Sequence, residues 1–343
     1  MTLASSGSIN MVGPDTTPRR SIGVELGDGT LVKPVSLLST AVFNLTGRSG
    51  GPITMPGDFY GRSTDFIFND VIPSSTIVAN YNLRTRAIAA GWDEVRRLIA
   101  TTTLTDSSTY VYADTVTLPA MSAGAGTFPG GSTWSIINNG YIIGYGGAGG
   151  AGGTVSGSTL TPGSAGGHGG PALYLHGNIS VTLTNNNAIG SGGGGGGGGG
   201  AARYVSGKGK SAVTYGFGGG GGGGGSGGLP GLGGAVGPTG GAGGGAAGNT
   251  NNYPGTSGGS GNGVGGGIAG VGGYFNSSFY GGNQSGGDGY GGSWGSDGIP
   301  GSAGRAVGGT TSAGGAGGTA GYAIYGLAYV TILVTGFITG RQA

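Results

Sequence analysis

An unbroken run of nine glycines, Gly192–Gly200, limits what this chain can become more than any other stretch. A second run, Gly218–Gly225, follows it, and 79 of the chain's 95 glycines lie beyond residue 143. Such a run has no side chain to bury. Fixing each backbone residue costs roughly 1–2 kcal/mol, and glycine loses more conformational freedom than any other residue. The run is therefore either a flexible tether or packed backbone. Polyproline II geometry offers an ordered form, with three residues per turn and a rise of about 3.1 Å, so nine residues span about 28 Å. That helix has no internal hydrogen bonds. Neighbours without side chains can pair their N–H and C=O groups, each bond contributing about 0.5–1.5 kcal/mol net. Strand-like, asparagine-rich and aromatic pieces interrupt the glycine at intervals, which favours the packed form.

The rest of the composition narrows the chemistry. The 343 residues suffice for two or three domains. With a net charge of +2 and 8 % charged residues there is no electrostatic footprint for nucleic acid. The absence of cysteine excludes disulfides, thiolate metal sites and thiol catalysis. The N-terminus lacks a basic segment followed by an apolar core, so no signal peptide is expected. Tyr322–Thr339 runs for eighteen residues without a charge. That is short for a membrane span, and its β-branched content predicts a buried strand at Ala328–Thr335 instead.

Taken in order, residues 1–79 are short apolar fragments such as Ile22–Leu26 and Leu31–Leu38, separated by glycine and proline turns. They predict a small, loop-rich module. Residues 80–143 predict a connecting domain. It opens with a helix over 80–100, in which Leu83, Ala87, Ile88, Trp92, Val95 and Leu98 recur at helical spacing. Asn80 or Asn82 would cap it, Asp93 and Arg97 would pair at i,i+4, and Gly91 is positioned to end it early. Trp92 reads as a packing anchor. Strands follow at Tyr110–Tyr112, Val116–Leu118 and Trp134–Ile137, with a tight turn at Asn138-Asn139-Gly140.

Residues 144–343 form the glycine-rich region, and a weak repeat runs through it. Ser135–Gly144, Ile179–Gly190 and Tyr329–Gly340 each read as a β-branched strand, a turn and a return. Pro171-Ala172-Leu173-Tyr174 matches Tyr322-Ala323-Ile324-Tyr325. Such strands supply the hydrophobic layer that glycine lacks. Three segments carry large side chains instead: Arg203–Phe217, Asn249–Thr256 and Tyr274–Trp294. Their aromatic and amide mixtures suit binding surfaces. The candidate contact residues are Arg203, Tyr204, Lys208, Lys210, Tyr215, Phe217, Asn252, Tyr253, Tyr274, Phe275, Phe279, Tyr280, Asn283, Gln284, Tyr290 and Trp294.

Catalytic groups are scarce. Beyond residue 143 the only carboxylates are Asp288 and Asp297, a poor fit to a glycosidase pair. His168 and His176 are the only histidines, each read as a surface or packing residue. GxGxxG recurs here through composition alone, and Gly207-Lys208-Gly209-Lys210-Ser211 lacks the strand-to-helix setting of a phosphate loop. No enzyme activity, cofactor or metal is expected.

Two groups of residues resemble tailed-bacteriophage virion proteins. Ser8-Ile9, Val24–Gly27 and Ile53–Ser63 resemble an "I-S…E-L-G" segment followed by "I-S-M-x-D-F-Y-G-K-S", with Arg62 at the lysine position and one extra residue after Met55. Asn80–Arg84 and Ala89–Asp93 resemble the entry to the glycine-rich domain of phage tail proteins. The glycine runs, Asn-Gly turns and aromatic interruptions resemble the tip adhesins of T-even-type tail fibres. That resemblance implies a bundle of polyglycine II helices whose connecting loops contact a bacterial receptor. The expected fold is mostly β and irregular: a small N-terminal module with one helix, short β-strands, then a polyglycine II bundle flanked by β layers. The expected role is a virion adhesin at a fibre or tail tip. Residues 1–100 would attach it to tail, fibre or baseplate proteins, and its loops would bind an outer-membrane protein or surface glycan. A purely structural tail protein and an ice-binding protein are the alternatives, the latter disfavoured by the lack of regularly spaced threonine on the glycine runs.

Overall fold

The computed structural model of the chain describes residues 65–208, 212–227, 246–247, 251–258, 260, 274–275, 284–285 and 289–343. The expected attachment module and its motifs up to Ser63 lie outside them. From Asp65 onward the chain winds in circuits that each visit the same three walls. The first circuit comprises β1 (Asp65–Ile72), β2 (Ile77–Ala79), β3 (Tyr81–Asn82) and the helix α1 (Leu83–Ala89). The second comprises β4 (Arg97–Leu104), β5 (Tyr110–Tyr112) and β6 (Met121–Ser122). In the third, β7 (Thr133–Asn138) and β8 (Tyr141–Ile143) lead into glycine, where β9 (Val155–Ser156) and β10 (Thr159–Leu160) form a hairpin. β11 (Leu173–Tyr174) then closes the circuit.

The fourth circuit opens with β12 (Ser180–Gly190), which spans two walls. It then leaves for the longest glycine-rich excursion. That excursion holds β13 (Ala202–Ser206), β14 (Val213–Phe217), β15 (Ala246–Ala247), β16 (Asn251–Tyr253), β17 (Tyr274–Phe275), β18 (Gln284–Ser285) and β19 (Thr310–Thr311). β20 (Tyr322–Tyr325) returns to the walls, and β21 (Val330–Thr339) and β22 (Arg341–Gln342) begin a fifth circuit. Every pairing between circuits is parallel. The result is a β-solenoid, in which each circuit packs on its neighbours.

Alternation along the strands fills the interior. Ala100, Trp134, Val181 and Val330 stand in one register column, and Thr102, Ile136, Leu183 and Ile332 in the next. Trp134, Ile136, Leu98 and Leu183 are fully buried. Thr102 is buried too, and its hydroxyl meets the Trp134 indole N–H at 2.9 Å and the Tyr81 hydroxyl at 2.8 Å. Burial pushes the Tyr81 phenol well above its ordinary range, despite the Thr102 hydrogen bond. The repeated motifs read from the sequence stack in register, with Ile136 beside Leu183, Leu183 beside Ile332, and Tyr174 beside Tyr325, but without the expected turn and return, since β12 and β21 each run on as one strand.

Several local expectations are corrected. Helix α1 is capped by Asn82, whose Oδ1 accepts from the Thr85 N–H at 3.0 Å, but it stops at Ala89. Gly91 turns the chain at φ +98°, and Arg97 onward joins β4, because in-register pairing with β1 satisfies more backbone than a longer helix would. Asp93 accepts hydrogen bonds from the Val95 and Arg96 N–H groups and pairs with Arg96, not Arg97. Arg97 instead holds Asp65 through two bonds of 2.6 Å. Trp92 is an anchor, buried and stacked on Phe128 with ring centres 5.5 Å apart. Val116–Leu118 is a turn with Val116 and Leu118 exposed, not a strand.

Asn138-Asn139-Gly140 does not reverse the chain. β7 and β8 both run parallel to β12, so the segment is a solenoid corner. Asn138 is buried there and donates to Asn185 Oδ1 at 2.7 Å, while its own Oδ1 accepts from the Gly140 N–H at 3.1 Å. A corner asparagine therefore replaces the hairpin its sequence suggests. The last circuit also differs from expectation. β21 forms where a strand was expected, but it is the edge of its wall among the described residues, with Leu333 64 % and Phe337 63 % exposed. No helix among the described residues is long and apolar enough to cross a membrane.

The glycine run leaves β12 at Gly190 and continues as packed backbone. Its N–H groups turn to three neighbours in rotation. Gly192, Gly195 and Gly198 donate to Gly170, Gly167 and Ser164; Gly193, Gly196 and Gly199 to Ser226, Gly223 and Gly220; Gly194, Gly197 and Gly200 to Ser296, Ile299 and Ser302. Its carbonyls accept with the same period, from Gly147, Gly150 and Gly153 on one side and Gly321, Gly318 and Gly315 on another. A period of three matches three residues per turn. The packing leaves no room for side chains: a Cβ on Gly196 would lie 2.6 Å from the carbonyl oxygens of Gly289 and Tyr290.

Candidate functional site

The two long glycine runs are joined by one β-hairpin. Gly200 is followed by Ala201 and then β13, and β14 ends at Phe217, immediately before Gly218. β13 pairs antiparallel with β14, β14 runs parallel to β16, and β19 closes the other edge beside β13. This four-stranded sheet is held by backbone hydrogen bonds at the end where it joins the glycine runs. Gly200 donates to Ser302 at 2.8 Å, and Gly218 donates to Tyr253 at 2.9 Å. The β13 and β14 strands are therefore continuous with the packed glycine segments and inherit their fixed positions.

Register sorts the candidate side chains onto two faces. Tyr204 lies opposite Tyr215, their ring centres 6.2 Å apart, and Phe217 stacks on Tyr253 at 5.3 Å. Strand alternation puts these four aromatics on one face. Tyr204, Tyr215 and Tyr253 are half-buried, so each keeps an accessible edge. Arg203 belongs to the opposite face, in register with Gly216 and Thr310. It is half-buried, and its Nε is buried without a hydrogen-bond partner among the described residues. Lys208 is exposed in the connection between β13 and β14. Asn252 is in register with Gly216.

The other candidates divide. Tyr274 and Phe275 pair with Ser285 and Gln284 as the antiparallel strands β17 and β18. Lys210, Phe279, Tyr280 and Asn283 lie outside the described residues. Tyr290 is 48 % exposed. Two candidates are corrected from contact residues to anchors. Phe217 is only 1 % exposed, closed off by its stack on Tyr253. Trp294 is 8 % exposed and seated on the outer wall of the solenoid, against Ala188, Ile143 and Tyr141. Gly190 makes its seat, since a Cβ there would stand 3.0 Å from the indole. Both aromatics fasten glycine-rich excursions to rigid neighbours.

Thr310, Thr311 and Val205 were not among the residues read as contacts. The two threonines are exposed on the sheet's edge strand, and Val205 is exposed on β13. No sequence signal marks the threonines, because β19 joins the sheet from far along the chain. Asp297 accepts from the Ala320 N–H at 2.7 Å and faces Arg341 at 3.4 Å, tying the longest excursion to β22. His168 Nδ1 lies 2.8 Å from the Thr319 hydroxyl, and His176 meets the Tyr174 ring edge-on.

The family described as "Phage tail fibre adhesin Gp38" matches residues 70–343. A search of curated proteins returns no match. Among solved structures, the crystal structure of the gp37-gp38 adhesin tip complex of the bacteriophage S16 long tail fiber is similar. It is 19 % identical, with 97 % of this chain and 100 % of that chain covered and a TM-score of 0.42.

Proposed function

The chain belongs to the phage tail fibre adhesin Gp38 family, and we propose that it is the receptor-contacting tip of a tail fibre. The glycine segments act as polyglycine II helices, and the sheet of β13, β14, β16 and β19 presents the contact surface. Its location is the virion tail. Residues 1–100 attach to other tail-fibre proteins, and the host partner is an outer-membrane protein or a surface glycan. No catalytic step is involved. The observation that supports this reading best is the continuity of the β13–β14 hairpin with both glycine runs. A surface held by packed backbone loses little conformational freedom on binding, so less of its contact energy is spent on ordering.

Tyr204, Tyr215, Tyr253 and Lys208 would make contact, and the exposed Tyr290 is a further contact candidate. Tyrosine suits this role, having a large amphipathic ring and few rotatable bonds. Phage particles carrying Tyr204→Ala with Tyr215→Ala should adsorb to host cells at least about tenfold more slowly, a loss of roughly 1.4 kcal/mol or more. Their tip protein should keep its thermal midpoint. Unaltered adsorption by particles in which residues 203–216, 249–256 and 274–293 are all replaced, with Phe217 and Trp294 retained, would favour a purely structural tail protein.

A further inference from the structure

Away from the tip sheet, the solenoid carries an open cleft of about 280 Å³ where the start of β12 faces the turn into β21. Its walls are formed by residues 178–182 and 328–331. Ile179 and Val181 offer the cleft only backbone, since their side chains are buried in the core. The Asn178 amide is engaged, accepting from the Phe128 N–H at 2.8 Å and donating to the Phe128 carbonyl at 2.6 Å. Ala328 and Val330 add small apolar contacts, and the polar lining that remains is Ser180, Thr182, Thr331 and Tyr329, the last 46 % exposed. None of these four hydroxyls has a partner among the described residues.

The cleft also lies at the end of a hydroxyl ladder. Thr101, Ser135, Thr182 and Thr331 occupy one register column across four circuits, with Thr133 and Ser180 paired in the adjacent column. Strand spacing sets these hydroxyls about 4.8 Å apart. No Lys, Arg, Asp or Glu lines the cleft, and Tyr322–Gly340 contains no charge at all.

From this combination we infer that the cleft is a second binding site, for a neutral saccharide. An anion or cation would find no counter-charge there. An apolar ligand would strand the hydroxyls, whereas each hydroxyl both donates and accepts, which is what a sugar's own hydroxyls require. The Tyr329 ring supplies the apolar face that the C–H side of a sugar ring packs against while its phenol stays wet. The volume is near the lower end of small-molecule sites, enough for a short saccharide segment, and the ladder extends the contact across the wall. This site is separate from the tip sheet and does not depend on its role.

The test is calorimetric titration of the full chain with neutral trisaccharides of glucose, galactose and N-acetylglucosamine, beside a glucuronate-containing one. At least one neutral sugar should bind with a dissociation constant on the order of 1 mM. Tyr329→Ala should weaken it about tenfold, and Thr331→Val, which removes a hydroxyl at nearly constant volume, by about threefold. Thermal melting checks that both variants fold. Should Tyr329→Ala not fold, the exposed Thr331→Val carries the test. Absence of binding by every neutral sugar, stronger binding of the acidic one, or affinity indifferent to the folded variants would overturn the assignment. Adsorption of phage bearing Thr331→Val reads separately on the tip: a lost saccharide signal with adsorption retained leaves the tip-sheet reading standing.

Discussion

The solenoid and the glycine bundle solve the same packing problem in opposite ways. In the solenoid, the walls are held apart by side chains, and Trp134, Ile136 and Leu183 fill the interior. In the bundle, Gly192–Gly200 is buried without any side chain, and backbone carbonyls of neighbouring segments occupy the space a Cβ would need. The first core is specified by what its residues contain, the second by what they lack. Core side chains can relax around a lost methylene. A peptide group pressed between hydrogen-bonded neighbours has no rotamer to change, so the bundle should tolerate almost no added volume.

The largest expected effect breaks the bundle. Gly196→Leu would place its Cβ 2.6 Å from two backbone carbonyls, Gly289 and Tyr290. We expect a loss of at least about 3 kcal/mol, beyond ordinary overpacking because backbone must shift, and little soluble folded protein. Gly130 is the control, since nothing lies within 4 Å of a Cβ built there. Gly130→Ala should melt like the parent chain. Normal stability of Gly196→Leu in a denaturant titration would rule out the packed arrangement.

The next effect tests the other half of the contrast. Leu183→Ala removes a fully buried side chain from the solenoid interior and should cost about 2–5 kcal/mol while leaving a folded protein. Its denaturation midpoint should fall well below that of the parent chain. The contrast sharpens with Gly196→Ala, which adds a single methyl. If that variant proves more stable than Leu183→Ala, the bundle is more compliant than its backbone contacts imply.

The two regions also differ in how far the sequence exposes them. The glycine bundle was legible because composition alone leaves few ordered options for Gly192–Gly200, and a period of three follows from the geometry available. The solenoid was legible only in pieces. Strands at Thr133–Asn138 and Tyr110–Tyr112 and the matched motifs around Leu173 and Ile324 carried clear signals. Their parallel stacking did not, because register between circuits is a long-range property. Asn138-Asn139-Gly140 shows the difficulty: the same residues make a hairpin or a corner, and the buried partner Asn185 decides which. Periodicity likewise favoured helix over 80–100, where pairing to β1 prevailed from Arg97 onward. In the β13–β14 hairpin, the aromatic content of residues 203–217 was legible from composition. The burial of Phe217 and Trp294 was not, since it depends on Tyr253 and on the small residues Ala188 and Gly190.

The smallest effect separates the regions by their charge. Only two carboxylates, Asp288 and Asp297, lie beyond residue 143, whereas the solenoid's early circuits are rich in them. Among the described carboxylates, Asp106 is the most perturbed. Its carboxylate accepts from the Ser108 hydroxyl at 2.6 Å, from the Ser74 hydroxyl, and from the Ser108 N–H at 2.9 Å, so it ties the corner of the first circuit to that of the second. The Ser108 and Ser74 hydrogen bonds hold it down to about 2. Its ordinary value when unfolded is about 3.9, so the ionised form is favoured by folding. The stabilisation is complete above about pH 4 and is lost as pH falls through about 2. Asp106→Asn should therefore melt slightly below the parent chain at neutral pH, by on the order of 1 °C, since the site is solvated. It should lose less than the parent does between pH 4 and pH 2. Because the circuits carrying Asp106 are distant in sequence from the glycine runs, protection of the Gly192–Gly200 amides against hydrogen exchange should not follow this titration. Loss of that protection in step with Asp106 would show that the bundle and the early solenoid unfold as one unit.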